Sequence, residues 1–431
     1  MQDPFTFTPP HPVDDRPEES AAAPQPKAEP LPGQQDKYFW AIYLMLVVIS
    51  VIELYSASSR EVVAGNVYLP IIRHAVMLGA GFVIILILSR IPYQKLIKFI
   101  PIFVVGSIVM MIYVLIAGDI INGARRSFSF AGINIQPSEF LKLSAVLIIA
   151  LVMSRTQLGK NEETRTRGVK IVAAMVLIMG GLLFTQGLTN TILLMAISFS
   201  MMIVGGIQLK KLGAVLIVYV LVAGAAYLVK EHNADVRVGR QTTWVERMKR
   251  FTDKSVPKYE QPIDANNRQE MYAYMAQANG GIFGVMPGNS RETSRLPLAF
   301  SDYIFSIVVE DLGLLGGLLL LAIYLSLLAH AGHVASQCRR AFPAMLVIGC
   351  ALMITFQAFF HMAIVTGVFP VSGQPLPLIS KGGSSILITS IAFGIMLSVS
   401  RFAVQTDKRQ DIKDEMNSLP EEMRAENATR L

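Results

Sequence analysis

The sequence is short of charge: Asp, Glu, Lys and Arg make up 16% of its 431 residues, against about 25% in an ordinary globular domain. It holds two cysteines, Cys338 and Cys350, both in or beside apolar runs. That placement argues against a disulfide framework or a zinc cluster and leaves both as small packing residues. A phosphate-cradling glycine loop, an HExxH helix and a Ser/His/Asp grouping with supporting context are all missing. So is the short basic and apolar start that a cleavable signal peptide requires. Residues 1–37 are instead rich in Pro, Ala, Gln and acids, too poor in apolar side chains to fold alone, and read as a disordered cytoplasmic tail.

What the sequence has is hydrophobicity. Apolar residues make up 52% of it and the mean hydropathy is +0.48. Runs of about 20 apolar residues, the length of a membrane-spanning helix, recur from 38 to 402. The fold class expected is all-α: a polytopic membrane protein with about ten spans at 38–57, 69–89, 96–117, 136–154, 169–186, 189–207, 212–230, 303–329, 343–368 and 383–402. The net charge of +7 does not point to nucleic acid, because the positive-inside bias of membrane loops produces such a balance. Arg90, Lys95, Lys98, Arg155, Lys160, Arg165, Arg167, Lys170, Lys210, Lys211, Arg339 and Arg340 fall in loops on one side, with Arg401, Lys408 and Arg409 following the last span. Both tails, 1–37 and 403–431, are therefore expected in the cytoplasm. The outer side receives 118–135, a long segment at 231–302, and 369–382.

Function is expected in those three outer segments. Within the long one, "TTWVERMKRF" spaces Trp244, Met248 and Phe251 on one helical face with Arg247, Lys249 and Arg250 elsewhere. It suits an amphipathic helix on the membrane surface, or equally one packed on the spans. "NGARRSFSFAGINIQPSEF" (122–140) is strongly polar between apolar runs. Glu139 and Lys142, at i and i+3, can pair on the fourth span, and ionisable groups at membrane depth usually mark a pathway or site. Arg125 and Arg126 could meet an anion or simply position the loop against headgroups. Asp302 opens the eighth span, where a helix cap is the commonest use of an aspartate; Glu310 and Asp311 follow and need partners if buried. "GVFPVSGQPLPLISKGGSS" (367–385) reads as a re-entrant or lid-like loop, which protein must cover if it lies at membrane depth. His330 and His333 lack a third ligand and read as interfacial.

Three of these stretches, "NGARR…QPSEFLK", "GGIFG…GNS…RLP…SDYIF…EDLG" and "GVFPVSGQPLPLISKGGSS", resemble in order and spacing the SEDS family (shape, elongation, division and sporulation). The resemblance covers about 38–402. The "YSASS" after the first span and the long N-terminal tail bring the chain closer to the family's division branch (FtsW) than to its elongation branch (RodA). It implies a peptidoglycan glycosyltransferase that polymerises lipid II, the undecaprenyl-pyrophosphate-linked disaccharide-peptide, in the bacterial cytoplasmic membrane at the division septum. The implied partners are a class B penicillin-binding protein, which crosslinks the product, and other division proteins. The family's catalytic aspartate falls on Asp302, its arginine-rich turn on Arg125 and Arg126, and its QPSE-F-x-K segment on Gln136, Pro137, Ser138, Glu139 and Lys142. Lys381 and Ser384 fall in the loop that turns into the last span and join the substrate-binding set. The chain departs from the family with Ser127 for Trp, "QGLTNT" (186–191) for a segment bearing an acid, His361 for Asn, and Lys381 for Tyr.

The resemblance thus implies an outward-facing cavity in which the arginines meet a pyrophosphate. Lys142 either touches phosphate or, with Glu139, fixes the cavity's shape. Asp302 would take the proton of the acceptor's 4-hydroxyl as it displaces pyrophosphate from an α-linked donor, inverting the centre. A retaining route needs a second, nucleophilic carboxylate, and the sequence offers no clear one. A divalent cation such as Mg2+ could share the pyrophosphate charge, though no ligand cluster demands it. Two other classes compete: a flippase carrying lipid II across the membrane, and a non-catalytic scaffold for division proteins.

Overall fold

The computed structural model describes residues 35–58, 68–121, 124–130, 133–156, 161–232, 251–252, 261–264, 267–296 and 300–404. Seven long helices come first: α1 (Lys37–Ser58), α2 (Tyr68–Arg90), α3 (Ile100–Ala117), α4 (Pro137–Thr156), α5 (Glu162–Phe184), α6 (Leu188–Val204) and α7 (Leu209–His232). A shorter α8 (Arg268–Gly280) precedes α9 (Ile304–Ser336), α10 (Ala341–Val365) and α11 (Gly383–Val399). Each expected span coincides with one of the ten long helices. Among the described residues, eight are long and apolar enough to cross a bilayer. Of the other two, α6 is apolar but has 17 residues, and α7 has 24, its side chains beyond Val220 lying outside the described residues. Most of the N-terminal tail, the C-terminal tail from 405, and the amphipathic segment except Phe251 also lie outside them.

Local chemistry sets the helix ends. Pro137 starts α4, where a missing N–H is harmless and its φ is already helical. Asn161 sits at the N-cap position of α5, with Glu162 and Glu163 in the first turn, where the helix dipole favours negative charge. In lipid the apolar faces give no net drive to associate, so packing and interhelical hydrogen bonds hold such a bundle, at about 0.6 kcal/mol per bond on average. Here Ser107 Oγ meets Ser144 Oγ at 2.6 Å between α3 and α4. Tyr219 OH of α7 donates to the Ala173 carbonyl of α5 at 2.7 Å. Thr355 Oγ1 of α10 donates to the Tyr324 carbonyl of α9 at 3.1 Å. The centre belongs to α4, α10 and α11, buried over 72%, 72% and 83% of their spans, whereas α2 is buried over only 22% and lies at the periphery.

The alternating helices gather the cationic loops at one end. There Asp36, just before α1, accepts hydrogen bonds from His330 Nε2 near the end of α9 (3.0 Å) and from Ser400 Oγ just past α11 (2.8 Å). Burial works against ionisation of Asp36, yet the bonds from His330 and Ser400, the charge of His330 and the Phe39 N–H together outweigh it and hold the carboxyl below the usual carboxylate range. His330 thus has a carboxylate partner.

At the opposite end a small sheet adds to the all-α expectation. β1 (Asp119–Ile121), β2 (Ala124–Phe130) and β3 (Ile133–Ile135) form an antiparallel meander. Ile121 pairs with Ala124 across Asn122-Gly123, the dipeptide that most strongly favours a two-residue hairpin. Phe128 of β2 lies edge-on to Tyr113 of α3, ring centroids 5.5 Å apart, which seats the meander on that helix. The same end holds the kink of α9 at Gly313 (φ 72°). A Cβ there would meet the Ile282 carbonyl oxygen at 2.2 Å, so glycine is needed both for the angle and for the approach of the chain leaving α8.

Candidate active site

The loop between α10 and α11 organises this end. Its apolar residues Leu376, Leu378 and Ile379 are buried in the protein, which meets the condition that irregular backbone at membrane depth be covered. Its backbone is held from every side. His361 of α10 donates through Nδ1 to the Gln374 carbonyl at 2.6 Å. Gln374 Nε2 donates to Asn190 Oδ1 of α6 at 3.0 Å, and Tyr324 OH of α9 to the Pro377 carbonyl at 2.7 Å. Ser380 Oγ accepts from the Leu376 N–H and donates to the Ser301 carbonyl, both at 2.7 Å. The Lys381 N–H donates to the Phe300 carbonyl at 2.9 Å.

These last two bonds clamp the loop to the residues just before Asp302. The backbone of Gly373 passes directly against the Asp302 carboxylate, where an added Cβ would lie 2.8 Å from Oδ2. Asp302 does not occupy the cap of α9. The N-cap position is Tyr303, and it makes no side-chain capping hydrogen bond. The aspartate lies one residue before that cap, with the loop's Gly373 against its carboxylate.

Beneath the loop lies a buried ion pair. Lys142 Nζ donates to Glu139 Oε1 at 2.8 Å and to Gln357 Oε1 at 2.9 Å. Gln357 Nε2 donates in turn to Glu139 Oε2 at 3.2 Å and to the Pro375 carbonyl at 3.3 Å. The Lys142 side chain is fully buried, so its ammonium serves this ring of contacts and does not face an open cavity. The ring ties α4 and α10 to the loop.

The structure also joins Gln136 and Ser384, the backbone N–H of the first donating to Oγ of the second at 3.3 Å, so the polar stretch before α4 is stitched to the start of α11. Ser138 is buried. Arg125 and Arg126 lie on β2; Arg126 is half-buried and the Arg125 side chain lies outside the described residues. Ser127, which stands where the family carries Trp, is buried in the same strand. The Lys381 ammonium stands over the Phe300 ring, 4.2 Å from its centroid. Glu310 finds its partners in the turn after α8: the Ser290 hydroxyl, the Arg291 N–H at 3.0 Å and the Glu292 N–H at 3.4 Å. Among the described residues no three His, Cys, Asp or Glu side chains converge as a metal cage.

Gln357 and Asn190 have no place in the sequence reading of the site. The signal for Gln357 is present in retrospect: with His361 it forms an i, i+4 polar pair on a span whose other polar side chain is Thr355. Asn190 lies in the segment that has lost the family's acid, and its amide oxygen now supports the loop.

Residues 36–405 match the profile of the FtsW/RodA/SpoVE cell cycle proteins. The chain belongs to that family. Among relatives of the family, a Bacillus subtilis (strain 168) protein named as a probable peptidoglycan glycosyltransferase FtsW is 28% identical over 374 residues, covering 85% of this chain and 89% of its own. A Halomonas elongata protein of the same name is 29% identical over 387 residues, covering 87% and 92%. Of solved structures, a chain from a peptidoglycan synthase complex described as coordinating polymerization and crosslinking superposes with a TM-score of 0.64 at 22% identity, covering 85% of this chain and 97% of that one. The Thermus thermophilus rod shape determining protein RodA superposes at 0.59 and 22%, covering 85% and 96%. These likenesses establish the family's polytopic fold for the chain.

Proposed function

We propose that the chain is a peptidoglycan glycosyltransferase that polymerises lipid II on the outer face of the bacterial cytoplasmic membrane during cell division, with Asp302 as general base. The observation that carries the reading is the seating of Asp302 against Gly373, in a loop that four helices hold at the same end of the bundle as the arginine-bearing strand. The names of the relatives support the same reaction class. In the proposed step the acceptor's 4-hydroxyl oxygen bonds to the donor's anomeric carbon while the bond from that carbon to pyrophosphate breaks. The hydroxyl proton passes to the Asp302 carboxylate, and undecaprenyl pyrophosphate leaves with the bonding electron pair. One displacement inverts the centre and needs one base. Arg125 and Arg126 supply charge-assisted donors to the departing pyrophosphate. A divalent cation such as Mg2+, if it joined the reaction, would share the pyrophosphate charge with Arg125 and Arg126.

A class B penicillin-binding protein that crosslinks the product is the proposed partner, and the division septum the proposed location. A flippase would need a polar path through the full membrane thickness, whereas the bonded polar groups of this site gather at one end. The deciding experiment incubates the purified chain with purified lipid II, alone and with its transpeptidase partner. Glycan strands in either mixture support the reading, and their absence from both refutes it.

Two further outcomes are expected. Arg125→Ala and Arg126→Ala each remove a charged donor worth about 1.5–3 kcal/mol, so kcat/KM for lipid II should fall roughly 10- to 100-fold with folding intact. Gly373→Ala puts a methyl group 2.8 Å from Asp302 Oδ2 and should displace the carboxylate. A misplacement of about 1 Å can reduce turnover on the order of 100-fold, so kcat should drop well before lipid II binding does. Parental rates in the Gly373 variant would show that the carboxylate's position against the loop is immaterial.

A further inference from the structure

The segment that follows α8 carries an apolar tip that the proposed reaction does not use. Ile282, Phe283 and Met286 are 60%, 77% and 63% exposed. They are not a solvent-facing loop end. The Leu314 N–H donates to the Gly281 carbonyl at 2.9 Å and the Leu315 N–H to the Ile282 carbonyl at 3.2 Å. In the other direction the Met286 N–H donates to the Asp311 carbonyl at 2.9 Å. The tip is thus bound by its backbone to α9 at the Gly313 kink, level with Leu314 and Leu315.

That level lies within the bilayer. The stretch from Leu314 to His330, which meets Asp36 at the opposite end, is about 24 Å of helix. The hydrocarbon core is about 30 Å thick. Leu314, Leu315, Leu318 and Leu319 are themselves half-exposed, as side chains facing lipid on a spanning helix are. A second marker agrees on depth. The turn that returns from the tip passes α1 at its end, where the Gly288 N–H donates to Ser56 Oγ at 3.1 Å and Tyr55 Cε1 lies 3.9 Å from a Cβ built on Gly288. Tyr55 is exposed, and tyrosines collect at the membrane–water boundary. The tip therefore hangs just below an interfacial tyrosine, beside lipid-facing leucines, with its polar backbone satisfied by α9.

We propose that the Ile282–Phe283–Met286 tip is a lipid anchor, inserted among the acyl chains of the leaflet on the Asp302 side. It would fix the height of α8 and of the Glu310-bound turn relative to the membrane surface. The occupant of this apolar face is lipid.

The test uses an indole as a depth reporter. The sequence has two tryptophans, Trp40 and Trp244, so Trp40→Phe with Trp244→Phe makes an inserted tryptophan the sole reporter. Phe283→Trp in that background is reconstituted in phosphatidylethanolamine–phosphatidylglycerol vesicles, with and without lipids brominated near the carboxyl end of their acyl chains. Blue-shifted emission is expected, quenched several-fold by the brominated lipids and little by aqueous iodide. Red-shifted emission that iodide quenches would overturn the proposal, because the tip would lie in water. Blue-shifted emission insensitive to both quenchers would overturn it as well, because protein would cover the tip. Ile282→Trp carries the same readout if the Phe283 variant does not survive purification.

Discussion

Asp302→Asn should lower glycan polymerisation from purified lipid II by about 100- to 10,000-fold, the usual contribution of a general base. Asparagine keeps the size of the side chain and its contact with the loop, so expression, fold and lipid II binding should persist. It loses the ability to accept a proton. The competing use of an aspartate at this position is to cap α9, and asparagine caps about as well, so a capping role predicts a nearly silent substitution. The structure already weighs against capping, because the N-cap position is Tyr303 and makes no side-chain capping bond. The assay separates the two sharply: an Asp302→Asn protein polymerising at close to the parental rate would end the assignment. Lipid II binding by the same preparation excludes a misfolded protein as the cause of a loss.

Much of this architecture can be read from the sequence because lipid leaves few choices. A backbone in hydrocarbon must satisfy its own hydrogen bonds, so an apolar run of sufficient length commits to a helix, and all ten expected spans are helices. The charge asymmetry of the loops likewise follows the helix order, as the meeting of Asp36, His330 and Ser400 at one end illustrates. The meander at 119–135 is harder to read. Its outer strands have three residues each, too few for alternation to be distinguished from irregular polar chain, and the Asn-Gly signal stands between them without a longer pattern to support it. Glu139 and Lys142 are readable as a pair from their spacing alone. The third member, Gln357, is distant in sequence, and no local rule connects a glutamine on α10 to an ion pair on α4. The same holds for Gly373. A glycine in a Pro/Gly-rich loop reads as a turn residue, and that it makes room for a carboxylate 71 positions away is a tertiary fact.

The largest stability effect is expected at the ring beneath the loop. Glu139→Ala leaves the Lys142 ammonium, which is fully buried, with Gln357 Oε1 as its remaining neutral acceptor in the ring. Stranding one member of a buried pair typically costs about 3–5 kcal/mol, and an unfolding titration in SDS should register a loss of that order. Adding Lys142→Met removes the uncompensated charge, so the double variant should recover most of the stability. A remainder of about 1–3 kcal/mol should persist, because the Gln357 amide then keeps the Pro375 carbonyl but has lost both partners on α4. Polymerisation distinguishes the two roles open to Lys142. If the pair only ties α4 and α10 to the loop, the double variant regains activity together with stability. If the ammonium itself meets pyrophosphate when substrate enters, the double variant stays inactive although its stability has returned. Burial of Lys142, with its ammonium held by Glu139 and Gln357, favours the first outcome. A Glu139→Ala protein as stable as the parent would show that the ring carries no such energy.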